Sequence, residues 1–246
     1  MQDNYLYIKE TNSTNVVMKQ KLRENASLPD FFVIHTDFQT DGKGQIGNKW
    51  ESEESKNLLF SILLHPTHIA IPEQFIISQL ISVCIVETLQ EICIEETENF
   101  TVKWPNDIYY KDKKIGGILV ENVLRGSEIS SSTVGIGLNI NQEMFISDAK
   151  NPISLKQITN KNYDIIEILK IMIEKIKNIY IQNDYVLIRK KYMNVLYRKL
   201  GFHQYNSKNK TFSAKIIDIA DDGKLSLMSE DGAINNFYFK EVEFVL

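Results

Sequence analysis

Lys103-Trp104-Pro105-Asn106-Asp107, followed after a short polar turn by Lys114-Ile115-Gly116-Gly117-Ile118-Leu119-Val120-Glu121, is the stretch from which the fold can be worked out. Pro105 biases Trp104 toward extended backbone, so Asn106 and Asp107 stand where a strand begins at Ile108. Side by side, an amide and a carboxylate can accept hydrogen bonds or hold a hydrated Mg²⁺ beside a phosphate. In isolation the pentapeptide also reads as a proline turn with an Asx cap. Lys111-Asp112-Lys113 is a tight polar turn, and the second run continues as a strand from Lys114 to Val123. Glycines inside strand-like runs weaken a sheet, so Gly116 and Gly117 mark a bulge or a close approach by a ligand or another backbone. Gly135-Ile136-Gly137-Leu138-Asn139-Ile140-Asn141 repeats the pattern within a strand expected over Thr133 to Ile140.

Toward the N-terminus, Tyr5 to Ile8 and Phe31 to His35 read as short strands. Between them a helix runs from a cap at Ser13 or Thr14 to about Arg23. Asn57 to Leu64 is apolar throughout and suits a buried strand, although its leucines and isoleucine also fit a helix. Glu73 to Ile92 is a helix apolar nearly all round, hence buried. Beyond the central strands come helices to about Ile181 and from Val186 to Lys199. The chain then changes character, with strand-like pieces at Phe212 to Ile219, Lys224 to Met228 and Asn236 to Phe239. Asp222-Gly223 and Asp231-Gly232 are the turns between them. Strands and helices do not alternate as in a parallel α/β protein. The expected class is α+β, a mixed sheet with helices over residues 1–199 and a small β-barrel over 200–246 packed on it.

Composition narrows the function classes. Of 246 residues, 43% are hydrophobic and 24% charged, which excludes disordered and fibrous chains. A net charge of -4 gives no basic face for nucleic acid. The longest apolar run, Ile76 to Val86, is interrupted by Ser78, Gln79 and Ser82 and falls short of a membrane span. The acidic start is unlike a secretory signal. Cys84 and Cys93 sit in or beside an apolar helix and read as small core residues of a reducing compartment. The expectation is a cytoplasmic protein with no nucleic-acid or membrane partner.

Gly42-Lys43-Gly44-Gln45-Ile46-Gly47 matches the G-x-G-x-x-G spacing of dinucleotide sites, but no acid lies between Glu54 and Glu73 to hold a ribose, and no helix clearly opens here. What survives is a glycine loop whose N–H groups can approach an anion, with Lys43 and Lys49 adding charge. An ordinary flexible surface loop fits the same residues.

Taken in order, these segments resemble the biotin protein ligase family: Ser13-Thr14-Asn15, then Gln39-Thr40 leading into the glycine loop, then Lys103 to Asp107, Lys114 to Glu121, and Gly135 to Asn139. The resemblance implies a catalytic domain similar to class II aminoacyl-tRNA synthetases, followed by an SH3-like barrel. It implies an ATP-dependent, AMP-forming ligase that makes biotinyl-5′-adenylate. The biotinyl group then passes to a lysine of the biotin carboxyl carrier protein domain of a biotin-dependent carboxylase. Family members occur as monomers or homodimers.

The roles implied by the resemblance fall on named positions. Lys114 contacts the biotin carboxylate and the α-phosphate, with Lys43 as a second catalytic cation. Ser13, Thr14, Asn15 and Gln39 surround the ureido ring, while Gly42, Lys43, Gly44 and Gln45 wrap the activated acyl and phosphate. Gly117 lines the channel for the biotin tail, and Trp50 stacks on adenine. Asn106 and Asp107 face the triphosphate and its Mg²⁺, without a protein cage for the metal, and Asn139 helps bind the nucleotide. The four histidines fit no triad or metal spacing.

Two departures stand out. Many relatives carry arginines in the glycine loop where this chain has Lys43, Gln45, Ile46 and Asn48; lysine lacks the bidentate fork, so weaker retention of the adenylate is expected. The motifs also begin at Ser13, so a stand-alone ligase without the N-terminal repressor domain of some relatives is expected. A lipoate or octanoate transferase, and a sensor that keeps the pocket without turnover, are the competing readings.

Overall fold

The computed structural model describes residues 4–45, 47–146 and 151–245. Its main sheet has seven strands in the order β1-β2-β3-β7-β6-β5-β4. These are β1 Tyr5–Thr11, β2 Val33–Gln39, β3 Asn57–Leu64, β4 Phe100–Lys103, β5 Asp107–Tyr110, β6 Lys113–Arg125 and β7 Glu128–Asn139. Only β1 and β2 run parallel, which is the pairing that needs a crossover, and helix α1 (Thr14–Glu24) supplies it. The other neighbours are antiparallel, so the sheet is mixed, as the sequence suggested.

β3 explains itself once its two faces are separated. Leu58, Phe60, Ile62 and Leu64 join the main core with α2 (Phe75–Ile92), α4 (Ile165–Gln182) and α5 (Tyr185–Asn194). Leu63 packs instead with Met18 of α1 and Ile34 of β2. Every residue of β3 is buried, so no polar alternation is required and the run looks helical in sequence. Burial on both faces decides for the strand.

α2 is a core helix packed against α4, α5 and the sheet. With the turn before it, Ile71–Ile92 is long and apolar enough to cross a bilayer, which the interrupted run Ile76 to Val86 did not suggest; 67% of it is buried inside the fold. Cys84 and Cys93 are buried free thiols there, and burial raises both above the ordinary thiol range.

Several boundaries moved. Helix α3 (Leu155–Thr159), closed by a Ser154–Gln157 capping box, was not anticipated. The second long helix ends at Asn194 rather than Lys199. Beyond it the chain turns to run beside β4, with Val102 donating to the Val195 carbonyl and Tyr197 donating to that of Val102.

The C-terminal residues form a five-stranded antiparallel sheet, β11-β10-β9-β8-β12. It comprises β8 His203–Ser207, β9 Lys210–Ile219, β10 Leu225–Ser229, β11 Ile234–Phe237 and β12 Glu243–Phe244. Gly223 and Gly232 adopt φ of +88° and +85°, the turn conformation expected of the Asp-Gly pairs. The sheet is fastened to the larger one by the Trp104 indole, which donates to the Gly223 carbonyl at 2.9 Å; the Trp104–Pro105 peptide is cis.

Candidate functional site

A cavity of about 140 Å³ opens on the α1 side of the main sheet. Its floor is made of glycine because β6 and β7 pair Gly117 with Gly137, and β7 pairs Gly135 with Ser61 of β3. The clearances are small. A Cβ on Gly137 would stand 2.6 Å from the Trp50 ring, and one on Gly135 would stand 2.4 Å from Asn15 Oδ1. These glycines are therefore required by close approach of side chains to the sheet, where the sequence reading had offered a ligand, another backbone or a bulge.

Lys114 reaches this floor through an irregularity. The β5–β6 register shifts between Ile108 and Tyr109, so that Tyr109 faces Lys114 while Ile108 faces Gly116. The extra residue, Ile115, goes fully into the core. Lys114 and Gly117 then share the cavity face, which strict alternation would forbid. Lys114 Nζ lies 3.6 Å from the Cβ position of Gly117, 2.6 Å from Asp107 Oδ1 and 5.7 Å from the Trp50 ring centroid. The segment 151–153 braces its backbone: Lys114 donates to the Asn151 carbonyl, and Ile153 donates back to that of Lys114.

The opposite end is polar and uncharged. Ser13 occupies the N-cap of α1 but makes no capping hydrogen bond. Gln39 Oε1 does that work instead, accepting from the Thr14 N–H at 2.9 Å and from its hydroxyl at 3.3 Å. Ser13, Thr14 and Asn15 are each more than 95% buried, yet all line the cavity. Such burial of polar groups around an opening is the usual mark of a ligand site.

The glycine loop closes the roof. Gly44 donates to the Asn48 carbonyl, Asn48 to that of Gln45, and Trp50 to that of Gly42. No helix starts here, in keeping with the rejection of a dinucleotide fold. Gly42 has no room for a side chain, its Cβ position lying 2.5 Å from the Trp50 carbonyl. Lys43 lines the cavity, but its ammonium is paired with Asp41, whose carboxyl it holds below the ordinary range. Ile46 lies outside the described residues.

Asn106 lines the cavity while donating to the Ile118 carbonyl at 2.6 Å. Asn139 does not line it; the side chain donates to the Ile153 carbonyl and so supports the segment that braces Lys114. None of the four histidines lines it. The sequence reading overlooked Ser61, Lys19 and Phe239, and quoted Glu121 in its motif without giving it a role. Ser61 carried a signal, as the one polar residue inside the apolar run Leu58–Leu64. Phe239 comes from the C-terminal segment, just past β11, and no local pattern announces it at the cavity.

With this geometry stated, the chain belongs to the Biotin/lipoate A/B protein ligase family, whose model matches residues 7–139. Its relatives within that family are biotin protein ligases. The bifunctional ligase/repressor BirA of Bacillus subtilis is 27% identical over 249 residues, spanning 99% of this chain and 74% of that protein. The human biotin–protein ligase is 38% identical over 104 residues, 42% of this chain and 14% of that one. The Aquifex aeolicus biotin protein ligase, solved in complex with biotin and ATP, superposes with a TM-score of 0.78 at 25% identity, covering 99% and 100% of the two chains.

Proposed function

We propose that this chain adenylates biotin with ATP and passes the biotinyl group to a lysine of a biotin carboxyl carrier protein domain. The observation that carries the reading is one ammonium, Lys114 Nζ, set on a glycine floor between a neutral polar end and a carboxylate. The polar end suits the ureido ring, which presents a carbonyl and two N–H groups; a lipoyl head offers neither. The biotin carboxylate then lies toward Lys114.

In the first step the carboxylate oxygen attacks the α-phosphorus of ATP, the bond to the bridging oxygen breaks, and pyrophosphate leaves. Two anions must meet, so the barrier is largely electrostatic, and a preplaced ammonium lowers it. Lys114 exchanges Asp107 for the incoming oxygens. Asp107, released, is positioned with Asn106 to face the triphosphate. One carboxylate beside phosphate oxygens suits Mg²⁺, which supplies charge neutralisation when bound. Trp50 forms the platform for adenine, and Lys43 leaves Asp41 for the phosphate. In the second step the carrier amine attacks the acyl carbon, the carbon–oxygen bond to phosphate breaks, and AMP departs as the amine loses a proton to solvent. Positioning supplies what no nucleophile–base pair does.

Pyrophosphate release measured with ATP and either biotin or lipoate tests the reading. Release with biotin alone is expected. Release with lipoate alone, or with neither acid, contradicts it.

A further inference from the structure

The polar end of the cavity is tied to a carboxylate outside it. Glu121, on β6, accepts from Asn15 Nδ2 at 2.8 Å through Oε2 and from Lys19 Nζ at 2.5 Å through Oε1. Asn15 Oδ1 in turn lies 2.5 Å from Ser61 Oγ, which lies 2.7 Å from Thr14 Oγ1. Lys19 and Glu121 have side chains 41% and 33% exposed, so their pairing adds little stability.

The chain of hydrogen bonds has a direction. A carboxylate only accepts, so Asn15 must turn its NH₂ to Glu121 and its carbonyl oxygen to Ser61. Ser61 has a single proton, and an amide oxygen only accepts, so that proton goes to Asn15. The Thr14 proton is left with Ser61 Oγ at 2.7 Å or Gln39 Oε1 at 3.3 Å as acceptors. In either case Thr14 presents only lone pairs to the cavity. Gln39 Oε1 is already occupied by Thr14, which leaves its NH₂ as donor, and Ser13 keeps a free hydroxyl.

We propose that Glu121 and Ser61 are positioning residues for the ring of the substrate: the Glu121–Asn15–Ser61–Thr14 relay fixes Thr14 as a hydrogen-bond acceptor and so selects a cyclic urea, whose N–H needs one. This rests on the biotin reading and deepens it. Lys19 gives the relay a distinctive signature. In Glu121→Gln one oxygen must serve both partners, and the Lys19 ammonium claims it. The NH₂ of the substituted amide then faces Asn15, whose own amide turns over, gives up its long 3.4 Å bond to the Leu119 carbonyl, and donates to Ser61. Ser61 donates to Thr14, whose proton keeps only the weaker acceptor, Gln39 Oε1 at 3.3 Å, and so turns more readily to the cavity. Removing the cation from that background lets the oxygen of the substituted amide turn back to Asn15.

The test is the biotin Kd by titration calorimetry, with KM for ATP alongside, for wild type, Glu121→Gln, and Glu121→Gln combined with Lys19→Met. A single hydrogen bond corresponds to roughly a tenfold change. Glu121→Gln is expected to weaken biotin by about tenfold while KM for ATP moves less than about twofold. The Lys19→Met addition should recover most of that loss, whereas a merely structural role makes the double variant the worse of the two. Ser61→Ala, which cuts the relay without altering charge, should weaken biotin to a similar degree. Biotin affinities equal to wild type in Glu121→Gln and Ser61→Ala, or no recovery in the double variant, overturn the relay alone. A wild-type protein that binds no biotin overturns the functional reading with it.

Discussion

Gly137→Ala probes the glycine floor and Trp50 together. The added methyl would stand 2.6 Å from Trp50 Cε2 and 2.8 Å from Nε1, where 3.4 Å is ordinary contact. The ring must therefore retreat by about 0.8 Å to restore ordinary contact. Its backbone cannot follow, because Trp50 N donates to the Gly42 carbonyl at 2.9 Å. The indole has to tilt away from the sheet, toward the space assigned to adenine. Folding should lose no more than about 2–3 kcal/mol. Replacing glycine within a strand gains about 0.4–1 kcal/mol from the unfolded state, overpacking costs about 1–3 kcal/mol, and Trp50 is only half-buried. Nucleotide binding should suffer too, since a base on an aromatic face is worth about 1–3 kcal/mol. Losing about half of that raises KM for ATP by about two- to tenfold. The assay is KM for ATP in wild-type and Trp50→Ala backgrounds. Because the effect acts through the ring, Gly137→Ala should do nothing further once Trp50 is alanine. An equal rise in both backgrounds would falsify this reasoning.

Other outcomes follow from single contacts. Lys114→Ala should slow biotinyl-adenylate formation by about 10²–10³-fold, as loss of a preplaced charge-stabilising donor does, read in single-turnover quench. Asp41→Asn removes the partner that holds Lys43 at the surface; dissociation of biotinyl-adenylate, followed by trapping, should slow, and an unchanged rate means that Lys43 does not reach the phosphate. Trp104→Phe strands the Gly223 carbonyl and should cost about 1–3 kcal/mol in urea unfolding. His35 is lowered from its ordinary 6.5 by burial, despite the opposing influence of Asp37, so the fold takes up its proton later than the unfolded chain as pH falls. The unfolded chain takes up a proton first as pH falls below about 6.5, so stability is full above that value. It declines until the depressed native value is passed. His35→Gln should flatten that part of the profile of Tm against pH, and an unaltered profile refutes the assignment.

Much of this site was legible before any coordinates, and the exceptions have physical reasons. Lys114, Asp107, Gly117 and Thr14 occur in short ordered segments, and it was the order of those segments, through the family resemblance, that singled them out. Ser61 went unremarked and Glu121 was quoted without a role because their contacts exist only across elements: Ser61 stands opposite Gly135, and Glu121 meets Asn15 of α1. Asn139 was expected at the nucleotide, but its amide is engaged by the Ile153 carbonyl, a contact between segments that no local pattern encodes. The β3 ambiguity between helix and strand had the same origin, since burial on both faces erases period-two patterning. A bulge was one of the two readings of Gly116 and Gly117; it falls one residue earlier, at Ile115, and what the sequence did not show is that it aims Lys114 into the cavity.

The most direct measurement of the central claim is the intact mass of an apo biotin carboxyl carrier domain after incubation with this protein, biotin and ATP. The account predicts one added biotinyl group per carrier, dependent on ATP and lost with Lys114→Ala. No mass increase with the wild-type protein, or an increase that survives Lys114→Ala unchanged, would contradict it.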